Sequence, residues 1–303
     1  MKKIFVIIVT YKGKCWYDKC FASLRKSTIP VQTVVVDNSP GNEDVDYIQT
    51  NYPEIHIIKS NDNLGFGKAN NLGLRYALDN ECDYVFLLNQ DAWLIQNDVL
   101  EQLLRISERH PECAILSPLH LTADKLQLSI QYENTKHMYS QQILNDLFCG
   151  RMKELYITDY VNAAAWFIPR YTLEIVGGFN PLFHLYGEDD DYLNRVHYHK
   201  LKVAICPSLK IIHDHVPFSN ERTITTNRTF AKNLLVELLD INKPDKTKMY
   251  IKYYLRKMII SYIMKDIKQA NLWKEYYKYI KENKDLISKS RELTTKSNML
   301  WIY

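Results

Sequence analysis

Asp91 closes residues 84–91, YVFLLNQD, where an apolar run gives way to Asn89, Gln90 and a carboxylate. A carboxylate at the tip of a core strand is placed to hold a hard cation. Glu188, Asp189, Asp190 and Asp191 form the densest acidic cluster of the chain. Such a run reads either as a solvated helix start, which the helix dipole favours, or as the source of a general base. The loop before it, GGFNPLFHLYG, favours the base, because apolar neighbours raise a carboxyl pKa. His213 and His215 flank Asp214 behind another apolar run. Alone, such histidines are surface or core residues. Beside Asp91 they complete a site of oxygen ligands plus one imidazole, suited to Mg²⁺ or Mn²⁺.

Other groups allow two readings each. GFGKAN carries Gly65 and Gly67, but Asn70 stands where a dinucleotide fingerprint has its third glycine. The stretch follows the third apolar run rather than the first, which excludes a Rossmann dehydrogenase. It is either a tight turn into a helix or a turn that faces phosphate. Asp37 is a turn residue or an acceptor for a base or ribose. Tyr11 is packing or a stacking platform for a base.

These groups need a scaffold. The first hundred residues alternate apolar runs, KIFVIIVTY, TVVVDNSPG, IHIIKS and YVFLLNQD, with stretches of helical spacing. Fully apolar strands separated by helices predict an α/β fold with a mostly parallel sheet covered on both faces. Ligands of such sheets bind at the carboxyl ends of the strands. Four strands here end in polar residues: Thr10-Tyr11, Asp37-Asn38-Ser39, Ser60-Asn61-Asp62-Asn63 and Asn89-Gln90-Asp91. One rim is expected to gather all four. Farther on, YVNAAAWFIP, KVAICP and LKIIHDHVPFS read as strands, and RYTLEIV as a helix stopped by Gly177-Gly178. Residues 1–220 form one domain in this reading. Residues 221–303 form a basic, aromatic-rich helical extension.

The chain has 303 residues, 46% hydrophobic and 24% charged, enough for a proper core. Six scattered cysteines with no CxxC pair predict buried thiols in a reduced, cytoplasmic setting. Lys2 and Lys3 before the apolar residues 4–9 mimic a secretion signal. The run is too short, lacks a cleavage site and reads as a first strand. The net charge of +4 is uneven. Residues 246–291 hold 13 Lys and Arg against 4 Asp and Glu, and the rest of the chain holds 26 against 31. The tail is expected to meet an anionic membrane surface through residues 245–303, at the inner face of the membrane, or to pack as helices, within the chain or in a homodimer. The acidic body argues against nucleic acid.

The pieces VIIVTYKG, VVVDNSPG, NDNLGFGKANNLG, LLNQDAWL, VNAAAWFIPR, VGGFNPLFHLYGEDDDYLNRV and IIHDH, in this order, resemble glycosyltransferase family 2 over residues 3 to about 219. That family has the GT-A fold and includes rhamnosyltransferase-like enzymes of surface-polysaccharide assembly. The resemblance implies a nucleotide-diphosphate-sugar donor and a glycan or lipid-linked acceptor. It assigns Thr10, Tyr11 and Asp37 to the nucleoside, and Asn61, Asn63, Gly65 and Asn70 to the ribose and diphosphate. NQD matches the family's Asp-x-Asp motif, with Asn89 in place of the first aspartate, Gln90 beside the donor, and Asp91 as the metal ligand; the imidazole expected beside it is that of His213, with His215 the alternative. Trp166, Gly178, Phe179 and Asp191 fall on the acceptor side, Asp189 is the base and Glu188 orients the acceptor. The expected activity is inverting transfer assisted by a divalent cation. Two rival readings are a non-catalytic sugar-nucleotide or glycan-binding module, which needs neither base nor metal, and a nucleotidyltransferase, which wants a Gly-rich basic loop after its first strand.

Overall fold

Continuous apolar runs of four to seven residues cannot leave either face in water, so they line up side by side in a covered sheet. In the computed structural model, which describes residues 1–129, 141–214, 233–296 and 298–302, β1 (Ile4–Thr10) is that central strand. It pairs in parallel with β2 (Gln32–Asp37) and β4 (Tyr84–Leu88), and β3 (His56–Lys59) pairs in parallel with β2. The sheet continues through β5 (Ala92–Leu94), β6 (Cys113–Leu121), β7 (Tyr156–Thr158), β8 (Ala165–Pro169) and β9 (Lys202–His213). The order is β3-β2-β1-β4-β8-β6-β9-β5, with β7 on β9. β5, β7 and β8 run against the other six.

Two apolar layers hold the sheet. On one face Tyr17, Phe21 and Leu24 of the helix Lys14–Arg25 pack with Leu103 and Ile106 of the helix Val99–Arg109. On the other lie Leu74 and Leu78 of the helix Phe66–Asp79, Leu173 of the helix Arg170–Val176, and Tyr192 and Val196 of the helix Glu188–Tyr198. All six cysteines are free thiols, four of them buried.

Two elements differ from their sequence patterns. KVAICP and LKIIH form one strand, β9, because its partner β6 steps from Cys206 to Lys210 between Pro118 and Leu119. Pro207 donates no ladder hydrogen bond, and the extra residues are absorbed as a bulge. YVNAAAWFIP becomes a strand only from Ala165, which leaves residues 160–164 as a loop.

The chain divides into one unit of Met1–Phe218 with Ser297–Tyr303, and a second of Ser219–Lys296. The last residues therefore leave the helical stretch and rejoin the sheet unit. Ile302 drives this, since it is 3% exposed within the apolar layer of Val176 and Tyr192. The second unit is a helical hairpin, Thr247–Ile263 and Ile267–Thr294, preceded by a helix over residues 233–239. Tyr254 holds the hairpin together by stacking on Trp273 at 5.7 Å and meeting Tyr276 at 5.6 Å.

Candidate active site

The four polar tips meet at one rim. Tyr11, Asn38, Asn63 and Asn89 to Asp91 line a cavity of about 400 Å³, together with Asn162, His184, Glu188, Asp189 and His213. Local hydrogen bonds fix each tip. The Tyr11 amide donates to Gln90 Oε1 at 2.9 Å, and Gln90 Nε2 donates back to the Tyr11 carbonyl at 3.2 Å. Asn38 binds the next loop, because its Nδ2 donates to Asn63 Oδ1 at 3.1 Å and its Oδ1 accepts from the Leu64 amide at 2.9 Å. Gly65 turns that loop with φ +79°, and a Cβ there would meet the His184 carbonyl at 1.9 Å. Only glycine fits both the angle and the space.

Beneath the rim, Asp37 is fully buried and ion-paired to Lys59 at 2.6 Å. It also accepts from Thr10 Oγ1 at 3.1 Å and from the Ser39 amide at 3.1 Å. This network fixes the ends of β1 and β2, from which Tyr11 and Asn38 reach the cavity. Thr10, Asp37 and Asn70 are outside the cavity lining, and Asn61 is exposed beyond it. Asn70 Nδ2 donates to the Phe66 carbonyl at 3.0 Å, within its own helix.

Asp91 follows β4, and its carbonyl accepts from the Asp214 amide at 2.9 Å. That bond brings the end of β9 against the NQD turn. Asp91 Oδ1 consequently lies 3.5 Å from Nε2 of His213, whose ring is 2% exposed. Asn89 Nδ2 is 3.4 Å from the same ring nitrogen. His120 meets the His213 ring edge to face at 5.9 Å, and burial pushes the pKa of His120 well below that of a free imidazole. His120 is therefore neutral and adds no charge to the pair. His215 lies outside the described residues. Among the described residues no third His, Cys, Asp or Glu joins Asp91 and His213. A carboxylate plus one imidazole fits a divalent cation that takes its remaining ligands from water and substrate phosphate.

Asp189 and Glu188 open the helix Glu188–Tyr198 and line the same cavity. Tyr160 Oη donates to Asp189 Oδ2 at 2.8 Å. Burial, then the nearby carboxylates, push the pKa of Tyr160 far up, so its hydroxyl stays protonated and keeps donating. Asp191, two residues on, turns inward and pairs with the buried Arg195 at 3.0 Å.

The remaining acceptor-side expectations lie behind the cavity wall. Trp166 is fully buried, donates to the Val161 carbonyl at 3.2 Å and stacks on Phe179 at 6.0 Å. The Phe179 backbone is clamped by Asn71, which accepts from its amide at 2.7 Å and donates to its carbonyl at 2.8 Å. Gly178 is held between Asn71 and Ile302, and an added Cβ would sit 2.5 Å from Asn71 Oδ1. Trp166, Gly178, Phe179 and Asp191 thus support the wall rather than line it.

Tyr160 and Asn162 enter the site without having been singled out by sequence, whereas Asn38 belongs to one of the four expected tips. Asn162 is 6% exposed, and its Oδ1 accepts from the Ala164 amide at 3.2 Å. Its Nδ2 has no hydrogen-bond partner among the described residues. A buried donor in a cavity wall is available to a ligand oxygen.

Residues 5–168 match the family model described as glycosyl transferase family 2. The low-salt glycan biosynthesis hexosyltransferase Agl10 of Haloferax volcanii is 23% identical over 244 residues, covering 76% of this chain and 77% of that protein. The dTDP-rhamnosyl transferase RfbF of Shigella flexneri is 23% identical over 219 residues, covering 69% and 68%. Among solved structures, S. aureus TarS residues 1–349 in complex with UDP superposes with a TM-score of 0.55 at 15% identity, over 80% of this chain and 66% of that chain. The Pyrobaculum calidifontis mannosyltransferase PcManGT, with GDP-Man and Mn²⁺, gives 0.54 at 16% identity, over 78% and 62%. This chain spans less than two thirds of those two solved chains.

Proposed function

The chain belongs to glycosyltransferase family 2 and has the GT-A fold, and from that premise we propose that it is an inverting, divalent-cation-dependent enzyme. Its donor is a nucleoside-diphosphate sugar, and its acceptor is a hydroxyl of a glycan or lipid-linked sugar in surface-polysaccharide assembly. The observation that carries this reading is a single cavity lined both by Asp91 and His213 and by Asp189 and Glu188. The relatives named hexosyltransferase and dTDP-rhamnosyl transferase support a hexosyl or rhamnosyl group.

The chemistry follows from the groups. Tyr11, Asn63, Gly65, Asn89 and Gln90 frame the donor, with Tyr11 offering a half-exposed ring for the base. Thr10, Asp37, Asn61 and Asn70 shape that side from below and around. A divalent cation held by Asp91 and His213 would supply positive charge to the departing diphosphate. The acceptor oxygen forms a bond to C1 of the sugar as the bond from C1 to the β-phosphate oxygen breaks. Its proton passes to Asp189, and the nucleoside diphosphate leaves. Attack opposite the leaving group inverts C1. Tyr160 holds Asp189 in place, Glu188 orients the acceptor, and Trp166, Gly178, Phe179 and Asp191 keep the acceptor wall rigid. The basic tail serves a lipid-linked acceptor by attaching the protein peripherally to anionic membrane. No described helix is long and apolar enough to cross one.

The test is a panel of nucleotide sugars assayed for nucleoside-diphosphate release, with and without Mn²⁺. One donor is expected to be turned over, and EDTA to stop it. Absence of release with every donor and acceptor would make the chain a binding module.

A further inference from the structure

We propose that the tip of the helical hairpin, residues 259–267, is the element that docks on an anionic lipid bilayer. This deepens the membrane reading above and rests on it. Helices that merely pack together bury their apolar residues and expose their polar ones. This hairpin does so only along its inner seam, where Tyr254, Ser261, Ala270 and Tyr276 are buried. At the tip the rule reverses. Residues 262–268 are all exposed, and Ile263, Met264 and Ile267 keep 75%, 74% and 55% of their surface in water. Ile259 and Ile260 extend the patch one turn up the first helix. A contiguous aliphatic surface of this kind marks a contact with something else.

Charge selects the partner. Residues 246–274 hold eight Lys and Arg against one acid. That acid, Asp266, is engaged as a helix cap, accepting from the Gln269 amide at 3.0 Å. Arg256 and Ile263 are separated by about 10 Å along the helix axis at 1.5 Å per residue. An amphipathic element sinks its apolar side about 5–10 Å into the boundary between headgroups and acyl chains. The aliphatic tip enters that layer while Arg256 and Lys257 remain at the phosphates, and Lys265 and Lys268 reach back to them with their long stems. A second copy of the chain would bring two cationic patches together, which repel. Nucleic acid would satisfy the charges and leave the isoleucines in water. A bilayer with anionic headgroups satisfies both.

The experiment uses the full chain at low salt. Sedimentation is measured with vesicles of phosphatidylcholine alone, and of phosphatidylcholine mixed with phosphatidylglycerol. The protein is expected in the pellet with the mixed vesicles only. The double variant Ile263→Ser/Met264→Ser should lower the bound-to-free ratio at least about tenfold, and Lys265→Glu/Lys268→Glu should do the same. Neither pair lines the cavity, so release of nucleoside diphosphate in solution stays at the parent level. That release is measured on the same preparations, so a failure of the transferase reading shows there and not in the pellet. Equal binding to neutral vesicles overturns the proposal, as does unchanged binding by the aliphatic variant. If that variant instead converts a dimer to a monomer in sedimentation velocity and still binds vesicles, the patch is a contact between copies, and the proposal falls.

Discussion

The phenol of Tyr160 donates a 2.8 Å hydrogen bond to Oδ2 of Asp189, from a loop 29 residues earlier in the chain. The second oxygen of Asp189, Oδ1, accepts from the Asp190 amide at 3.0 Å. One side chain and one backbone group thus fix the rotation of the carboxylate that faces the cavity.

Replacing Tyr160 by Phe removes the donor and keeps the ring. A hydrogen bond to a charged group contributes about 1.5–3 kcal/mol. The kcat of Tyr160→Phe is therefore expected to fall by about tenfold or more, with the donor Kd unchanged. The pKa of the phenol is raised, so it is protonated everywhere below its free value near 10 and stays so above it. The ratio of parent to variant rate should stay flat between about pH 6 and 9 for that reason. A rise in donor Kd with kcat intact would move Tyr160 to donor binding.

Asp189→Asn keeps the shape and the contact with Tyr160 but cannot take a proton. Donor binding by calorimetry should match the parent, while transfer falls by about a hundredfold or more, the usual contribution of a general base. Full transfer would assign the base to Glu188.

Asp91→Ala removes the charged half of the pair with His213. A loss of about 3–4 kcal/mol in transition-state stabilisation is expected, two to three orders of magnitude in kcat. Circular dichroism should be unchanged, because Asp91 supports the β9 end through its backbone carbonyl rather than its side chain. Near-normal turnover by this variant in excess EDTA would remove the cation from the mechanism.

The strand-tip side of the cavity was legible because parallel strands all end at one rim. Tyr11, Asn63 and Asp91 follow directly from where the apolar runs β1, β3 and β4 stop. Tyr160 and Asn162 escaped the same logic. They precede β8, and β8 runs antiparallel to β4 with Ala165 opposite Leu88. An antiparallel strand presents its amino end where its neighbours present their carboxyl ends, so the residues before it enter the rim. In the pattern YVNAAAWFIP the one turn-type residue ahead of the strand, Asn162, is followed by three alanines that do not show where the strand begins. Trp166, Phe179 and Asp191 show the converse limit. Ala164 and Asp189, two positions before Trp166 and Asp191, line the cavity, whereas Trp166, Phe179 and Asp191 are buried outside it.

The chain's last described residues carry the remaining prediction. The Leu300 carbonyl accepts from the Gly178 amide at 2.8 Å, and the Trp301 ring lies 5.0 Å from the Arg195 guanidinium. Arg195 in turn holds the carbonyls of Val176 at 2.6 Å and Gly178 at 2.9 Å, as well as Asp191. Arg195 and Asp191 belong to the same helix as Asp189. The C-terminal segment therefore braces the wall and the helix that carries Asp189, and Ile302 anchors it by burial. Truncating a buried isoleucine costs about 2–5 kcal/mol, and a hydroxyl in its place adds desolvation. Ile302→Ser should lower the thermal midpoint by roughly 5 °C or more and reduce kcat, whereas Ile302→Val should cost about 1 kcal/mol and stay active. Differential scanning fluorimetry alongside donor turnover reads both. A serine variant with parent midpoint and parent rate would show that the segment braces nothing.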